Sequence, residues 1–84
     1  MIKDLSDFQL NEKVKDLAQE ERNLTQHIIE HIAEVDRRKL FLRRGYDSLF
    51  SYLVSEIKYS QGAAQRRIDA SRLLQKVSAD GEKI

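Results

Sequence analysis

The chain has 84 residues, enough for one small domain, with 35% charged residues, three glycines and no proline. It lacks cysteine, which excludes disulfides and cysteine-ligated zinc, and it has no apolar run of the ~20 residues that a membrane helix requires. With apolar residues spaced along the chain, this composition predicts an all-α fold in a soluble, cytoplasmic protein.

The net charge of +1 conceals two parts of opposite sign. Residues 1–36 carry four Lys/Arg and nine Asp/Glu, a net charge of −5. Residues 37–76 carry ten Lys/Arg and three Asp/Glu, a net charge of +7, and the last eight residues carry −1. A basic second part predicts contact with a polyanion such as DNA. The alternative is that these charges only cover solvated helix surfaces.

The first predicted element is a long helix over about residues 7–44. Ser6 and Gln9 match the S-x-x-Q capping box that marks a helix start, and no Gly or Pro follows until Gly45. Apolar residues recur at heptad spacing and define one face of the helix, here called the seam. The seam comprises Leu10, Val14, Leu17, Leu24, Ile28, His31 and Val35. Glu21 interrupts it, so two nearly collinear helices with a kink near residues 19–23 are the alternative.

The length of this helix predicts self-association. A helix from Asp7 to Arg38 would measure about 48 Å at ~1.5 Å per residue, and the rest of the chain is too short to cover it. We therefore expect the N-terminal half of this helix to pack on another copy in a homodimer, or to continue a larger assembly. The alternative is a kinked helix that folds back on itself.

Two shorter helices are predicted after Gly45, which can take the left-handed conformation that closes a helix. Asp47 or Ser48 caps a helix over 48–57, Ser60 caps a last helix over 61–77, and residues 78–84 form a frayed tail. The inward residues expected on the second helix are Leu49, Phe50, Leu53, Val54 and Ile57. Those expected on the last helix are Ala63, Ala64, Ile68, Ala70, Ser71, Leu74 and Val77.

The segment HIIEH, from His27 to His31, fits the H-x-x-E-H pattern of inverted zinc proteases. Two histidines one turn apart can share a metal, but a zinc protease needs a third ligand and a cleft, and the chain has no further His or Cys. His31 also falls on the seam. We expect a packed or rim histidine there, with an adventitious metal contact as the alternative. We predict no catalytic residue, metal site, cofactor or small-molecule substrate.

The segment VSEIKYSQGAAQRRIDASR predicts a helix-turn-helix-like pair. Apolar and small residues occupy the places that such units turn inward. These are Val54, Ile57, Tyr59 and Ala64. Lys58 stands at the sharp turn, where a left-handed non-glycine residue costs up to ~1–2 kcal/mol. Arg67 falls near an inward position, so we expect its side chain to reach solvent or to pair.

The opposite face of the last helix has the residue types of a recognition helix, because Gln and Arg can bond base edges and Lys can meet phosphate. The residues predicted to bind DNA there are Gln61, Gln65, Arg66, Arg72 and Lys76. Arg43, Arg44 and Lys58 are predicted to contact the backbone phosphates beside it. Asp69 is expected to orient Arg72 one turn away. A solvated face of a structural unit is the alternative.

Three ordered blocks resemble the helical domain that precedes the HNH nuclease module in many bacterial HNH endonuclease-like proteins. They are EVDRRKL (34–40), GYDSLF (45–50) and YSQGAAQRRI (59–68), with LSDFQL (5–10) also similar. The resemblance implies a DNA-associated module that positions a nuclease, and the family usually has Gly where Lys58 stands. The HNH metal ligands belong to a downstream module, and His27 and His31 do not match them. The resemblance therefore implies a non-enzymatic chain, as a stand-alone relative, a truncation or a fragment.

Overall fold

The computed structural model describes the backbone of residues 1–82 and the side chains of residues 1–77. All regular structure in this range is helical, as the composition predicts. A short 3-10 turn, Ile2–Asp4, precedes four helices. The helices are α1 (Asp7–Arg38), α2 (Leu40–Arg43), α3 (Leu49–Ser55) and α4 (Gln61–Glu82). No helix in this part of the chain has an apolar stretch long enough to cross a membrane.

Helix α1 begins at the predicted capping box. The Ser6 hydroxyl accepts the Gln9 amide at 3.1 Å, and the Gln9 side chain accepts the Ser6 amide at 2.9 Å. The helix then runs without a break to Arg38, so the kink considered near residues 19–23 is not present. There the side chains of Gln19 and Asn23 share a hydrogen bond of 3.0 Å on the helix surface. Glu21 interrupts the apolar seam without interrupting the backbone.

The predicted helix over 7–44 is divided at Lys39, which adopts a left-handed conformation (φ 53°, ψ 39°). The turn starts α2 in a new direction, and Phe41 becomes buried with 8% of its surface exposed. Burying an aromatic side chain stabilises the fold by ~1.5–3 kcal/mol, enough to offset the ~1–2 kcal/mol cost of a left-handed lysine. As predicted, Gly45 has a positive φ (91°) where α2 closes.

Helices α3 and α4 are capped as predicted. The Ser48 hydroxyl accepts the Ser51 amide at 3.0 Å, and the Ser60 hydroxyl accepts the Ala63 amide at 3.2 Å. Helix α3 is shorter than the predicted 48–57, while the backbone of α4 stays helical to Glu82, beyond the predicted end at 77. The expected frayed tail is thus helical over 78–82, and residues 83–84 lie outside the described residues.

The core lies where α3 and α4 pack against the C-terminal half of α1. Its buried apolar residues are Ile32, Phe41, Leu49, Leu53, Ala64 and Ile68. Two residues predicted to point inward are instead exposed, Ile57 by 42% and Val77 by 60%. Ile57 lies past the end of α3 at Ser55, and Val77 lies beyond the part of α4 that faces this core. The N-terminal half of α1 contributes no buried side chain.

Candidate nucleic-acid interface

The α3–α4 pair is held together by small and apolar side chains at its turn. Ala64 is fully buried, so the backbone of α4 approaches α3 closely, and Leu53 opposite it is 1% exposed. Lys58 has φ 74°, the left-handed conformation that the sequence led us to expect at this position. The Tyr59 amide then donates to the Leu53 carbonyl at 3.0 Å. These contacts fix the direction in which α4 leaves the turn.

The five α4 residues predicted to bind DNA are all exposed. They are Gln61, Gln65, Arg66, Arg72 and Lys76. Leu73 and Val77, which were not expected on this surface, are also exposed, by 63% and 60%. These two residues line a shallow depression between α4 and α1, against Gln26 and Ile29, so they lie at the α1 side of the α4 surface.

Two of these five side chains already have partners. The Gln65 side chain donates to the Asp69 carboxylate at 2.9 Å. Arg72 Nε lies 3.5 Å from Asp36 Oδ2 on α1, not beside Asp69 as predicted. Gln75 also donates to the Asp36 carboxylate, at 3.1 Å. Asp36 is an acceptor on the neighbouring helix that is mostly shielded from solvent, and a prediction from spacing within α4 could not include it.

Of the three residues predicted to contact phosphates, Arg44 has an ion-pair partner, whereas Arg43 and Lys58 have none among the described residues. The Arg44 guanidinium donates to the Glu56 carboxylate through Nε at 3.2 Å and Nη2 at 3.0 Å, and this hydrogen bonding and the opposite charge raise the pKa of Arg44. Arg44 is therefore already neutralised by a partner twelve residues away. Arg43 and Lys58 are exposed.

The side chains that make no ion pair with any described residue form the strongest part of the candidate interface. They are Arg43, Lys58, Arg66 and Lys76, two on α4 and two before it. The Arg66 side chain extends back over Gly62, with Nη1 3.5 Å from the position that a Cβ atom would take there. Gln61 at the start of α4 is exposed as well.

Arg67 is a half-buried cation that the sequence placed near an inward position. Its guanidinium lies over the ring of Tyr59, 5.0 Å from the ring centroid. Its buried Nε has no hydrogen-bond acceptor among the described residues. The side chain thus pairs with an aromatic face, one of the two expected outcomes, and we assign it a structural role between α4 and the turn.

The predicted seam on α1 divides into two parts. Ile28 and Val35 pack against the core, whereas His31 is exposed. The four residues toward the N-terminus are uncovered: Leu10 (42% exposed), Val14 (58%), Leu17 (49%) and Leu24 (62%). The half that α3 and α4 leave uncovered is the N-terminal one, which the sequence led us to expect from the length of the helix and not from heptad spacing.

An open apolar groove of about 310 Å³ lies where the covered and uncovered parts of the seam meet. It is lined by Leu24, His27, Ile28, His31, Ile32, Val35, Tyr52, Leu53, Ile57 and Tyr59. Sequence reasoning did not find it, because α1, α3 and the turn contribute to it together. At its edge, His31 Nδ1 donates to the His27 carbonyl at 2.6 Å.

The two histidines do not gather further metal ligands. Among the residues that the structure describes, no three His, Cys, Asp or Glu side chains come together as a metal site. The hydrogen bond of His31 also occupies one of its two ring nitrogens. His27 and His31 instead form part of the wall of the apolar groove.

Comparison of this chain with protein-family models, with curated proteins and with solved structures finds no match.

Proposed function

We propose that this chain is a non-enzymatic, DNA-binding helical module. One observation carries the proposal: Gln61, Arg66 and Lys76 are exposed along a single helix that Ala64 and Ile68 anchor in the core. A helix fixed in this way presents its polar side chains without further ordering, which lowers the entropic cost of binding. The net charge of +7 over residues 37–76 supplies the attraction to phosphate.

Within this proposal the residues have different roles. Gln61 and Arg66 reach base edges or the adjacent phosphates, and Arg43, Lys58 and Lys76 contact phosphates. Arg72 joins them by exchanging the Asp36 carboxylate for a phosphate. Arg72 is 61% exposed and free to turn outward, and the Asp36 carboxylate, which is 18% exposed, keeps the hydrogen bond from Gln75 after the exchange. Arg44 and Gln65 contribute less, because Glu56 and Asp69 hold them.

The resemblance to the domain that precedes HNH nuclease modules supports a more specific role. In that role the chain positions a nuclease on DNA, in the cytoplasm of a bacterium, and contributes no catalytic residue itself. A nuclease module would supply the metal and the chemistry.

The test is a fluorescence-anisotropy titration of a mixed-sequence DNA duplex at several salt concentrations. We expect the logarithm of the binding constant to fall with that of salt, with a slope of about −0.9 per phosphate contact. Arg66→Ala and Lys76→Ala should each reduce the slope by about one contact. Arg22→Ala is the matched control, since Arg22 lies on the acidic half of α1. No binding at low salt would overturn the proposal.

We propose self-association as a second function, because four seam residues on α1 expose 42–62% of their surface. An apolar row of this kind on a helix favours pairing with another helix. Leu24→Glu should dissociate the oligomer in sedimentation equilibrium, whereas Leu73→Glu, an equally exposed leucine on α4 (63% against 62%), should not. A wild-type chain that stays monomeric at millimolar concentration would refute this candidate.

A further inference from the structure

Two apolar surfaces of this chain lie far apart and have no partner within the described residues. One is the groove beside His31. The other is an N-terminal cluster in which Met1, Ile2, Leu5 and Phe8 expose 94%, 77%, 37% and 73% of their surface. Because α1 is unbroken, Phe8 and Ile28 are separated by about 30 Å along the helix. The cluster therefore cannot reach the groove of its own chain.

Both surfaces lie on the same flank of the seam. The N-terminal cluster adjoins Gln9, Lys13 and Leu17 on α1, and the groove adjoins Leu24, His27 and His31. At ~100° per residue, Lys13 and His27 project to one side of the seam, together with Glu20. In an antiparallel pair of identical helices, the same flank of the seam on each helix faces the other. In a parallel pair, one flank faces the opposite flank of the partner.

We infer that a second copy of this chain pairs with α1 in antiparallel fashion and that its N-terminal cluster fills the groove. The inference deepens the second proposed function, on which it rests. Each copy supplies one groove and one N-terminal cluster, so the contact forms twice about a two-fold axis and closes the assembly as a dimer. The groove is complete only when the partner's Ile2 and Leu5 cover it.

Charges along the seam favour this orientation. Parallel pairing in register would set Glu21, which occupies a seam position, against the partner's Glu21, and like charges at close range are unfavourable. Antiparallel pairing can set Lys13 beside the partner's Glu20, twice in the dimer. At that register the partner's Phe8, in the first turn of α1, lies level with Thr25, beside Leu24 and His27 at the edge of the groove.

Orientation can be measured because the chain contains no native cysteine. A spin label on Glu30→Cys, an exposed position within α1 and outside the seam, gives one label per copy. Double electron–electron resonance should report about 40 Å between the labels in the antiparallel dimer. A distance below about 20 Å would indicate parallel helices and overturn the inference, even if self-association itself is real.

The occupant of the groove is tested by substitution. The double variant Ile2→Ser, Leu5→Ser should raise the dimer dissociation constant at least about tenfold, because it removes four apolar side chains from the dimer interface. Leu42→Ser with Leu73→Ser is the matched control, since both leucines are exposed (54% and 63%) and lie off α1. Unchanged dimerisation of the Ile2, Leu5 variant would overturn the groove assignment.

Two further results separate this inference from DNA binding. Dilution of the wild-type chain should shift the ring-proton resonances of His27 and His31 along the same concentration curve as dissociation. A wild-type chain that is monomeric at millimolar concentration would overturn the inference and the second proposed function together. The DNA-binding proposal would be unaffected, because the salt-dependent titration tests it separately.

Discussion

The guanidinium Nε of Arg72 lies 3.5 Å from Asp36 Oδ2, so a candidate DNA-binding residue of α4 is paired with the last turn of α1. The Asp36 side chain is 18% exposed, and it also accepts a hydrogen bond from Gln75. This carboxylate joins the two helices, and in the proposed complex with DNA it would compete with phosphate for Arg72.

We predict that Asp36→Asn strengthens DNA binding about two- to fivefold at low salt, because it frees Arg72 and removes one negative charge near α4. An asparagine can still accept the hydrogen bond from Gln75, so the fold should lose no more than ~1 kcal/mol. Anisotropy titration measures the affinity. Asp16→Asn makes the same charge change on the exposed half of α1 and should have a smaller effect. An equal gain in both variants would show that net charge alone is responsible.

We predict that Lys58→Gly stabilises the chain. Lys58 holds φ 74° in the turn before α4, and glycine adopts this conformation without the ~1–2 kcal/mol cost of a side chain. Glycine also has more conformational entropy in the unfolded chain, which opposes this effect, so the free energy of unfolding should rise by roughly 0.5–1 kcal/mol. Urea denaturation gives the free energy of unfolding. Lys76→Gly, inside a helix, should instead lose ~1 kcal/mol, and a loss at both positions would contradict the assigned conformation.

We predict that Glu34 titrates far below an ordinary glutamate. Its carboxylate accepts hydrogen bonds from Arg37 at 2.5 and 3.0 Å and from Arg38 at 2.5 Å, and these contacts lower the pKa of Glu34 from 4.5 to about 2. Because the folded-state pKa is the lower one, the stabilising contribution is complete above pH ~4.5 and is lost as the pH falls toward 2.

Side-chain carbonyl NMR of Glu34 across this pH window measures the titration directly. The double variant Arg37→Gln, Arg38→Gln should return the pKa of Glu34 toward its ordinary value. If the variant leaves the titration unchanged, the two arginines are not its cause.

We predict that Ala64→Leu destabilises the fold by about 1–3 kcal/mol or more, because Ala64 is fully buried between α3 and α4 and the larger side chain has no space. Gln65→Leu introduces the same residue at the next, exposed position and should change stability by less than ~0.5 kcal/mol. Thermal unfolding followed by circular dichroism compares the two. Equal stability of both variants would mean that the helices are not in close contact at Ala64.

The helix ends at Ser6, Ser48 and Ser60 were predictable because a cap is a local interaction between residues three apart. The left-handed Lys39 was not, because it depends on burial of Phe41 against residues from other helices. Asp36 with Arg72 and Glu56 with Arg44 were missed for the same reason: 36 and 12 residues separate the partners.

The sequence predicted which side chains of the candidate site are exposed, but not which of them are paired with neighbouring side chains. All five α4 residues are exposed as expected, but the spacing assigned Asp69 to Arg72, whereas Asp69 accepts from Gln65 and Arg72 pairs with Asp36 on α1. The heptad pattern located the seam, and the length of the helix indicated that the rest of the chain would leave its N-terminal half uncovered, as the exposed Leu10, Val14, Leu17 and Leu24 show.

The unbroken course of α1 from Asp7 to Arg38 would set the spacing between two DNA half-sites in the proposed complex. In the proposed antiparallel dimer, the two α4 helices would be attached near opposite ends of the pair of α1 helices. At ~1.5 Å per residue, the two α4 helices then lie about 30–45 Å apart, a range that includes the ~34 Å of one turn of duplex DNA. The length of α1 would thus place the two α4 helices at the distance between two successive major grooves on one side of the duplex.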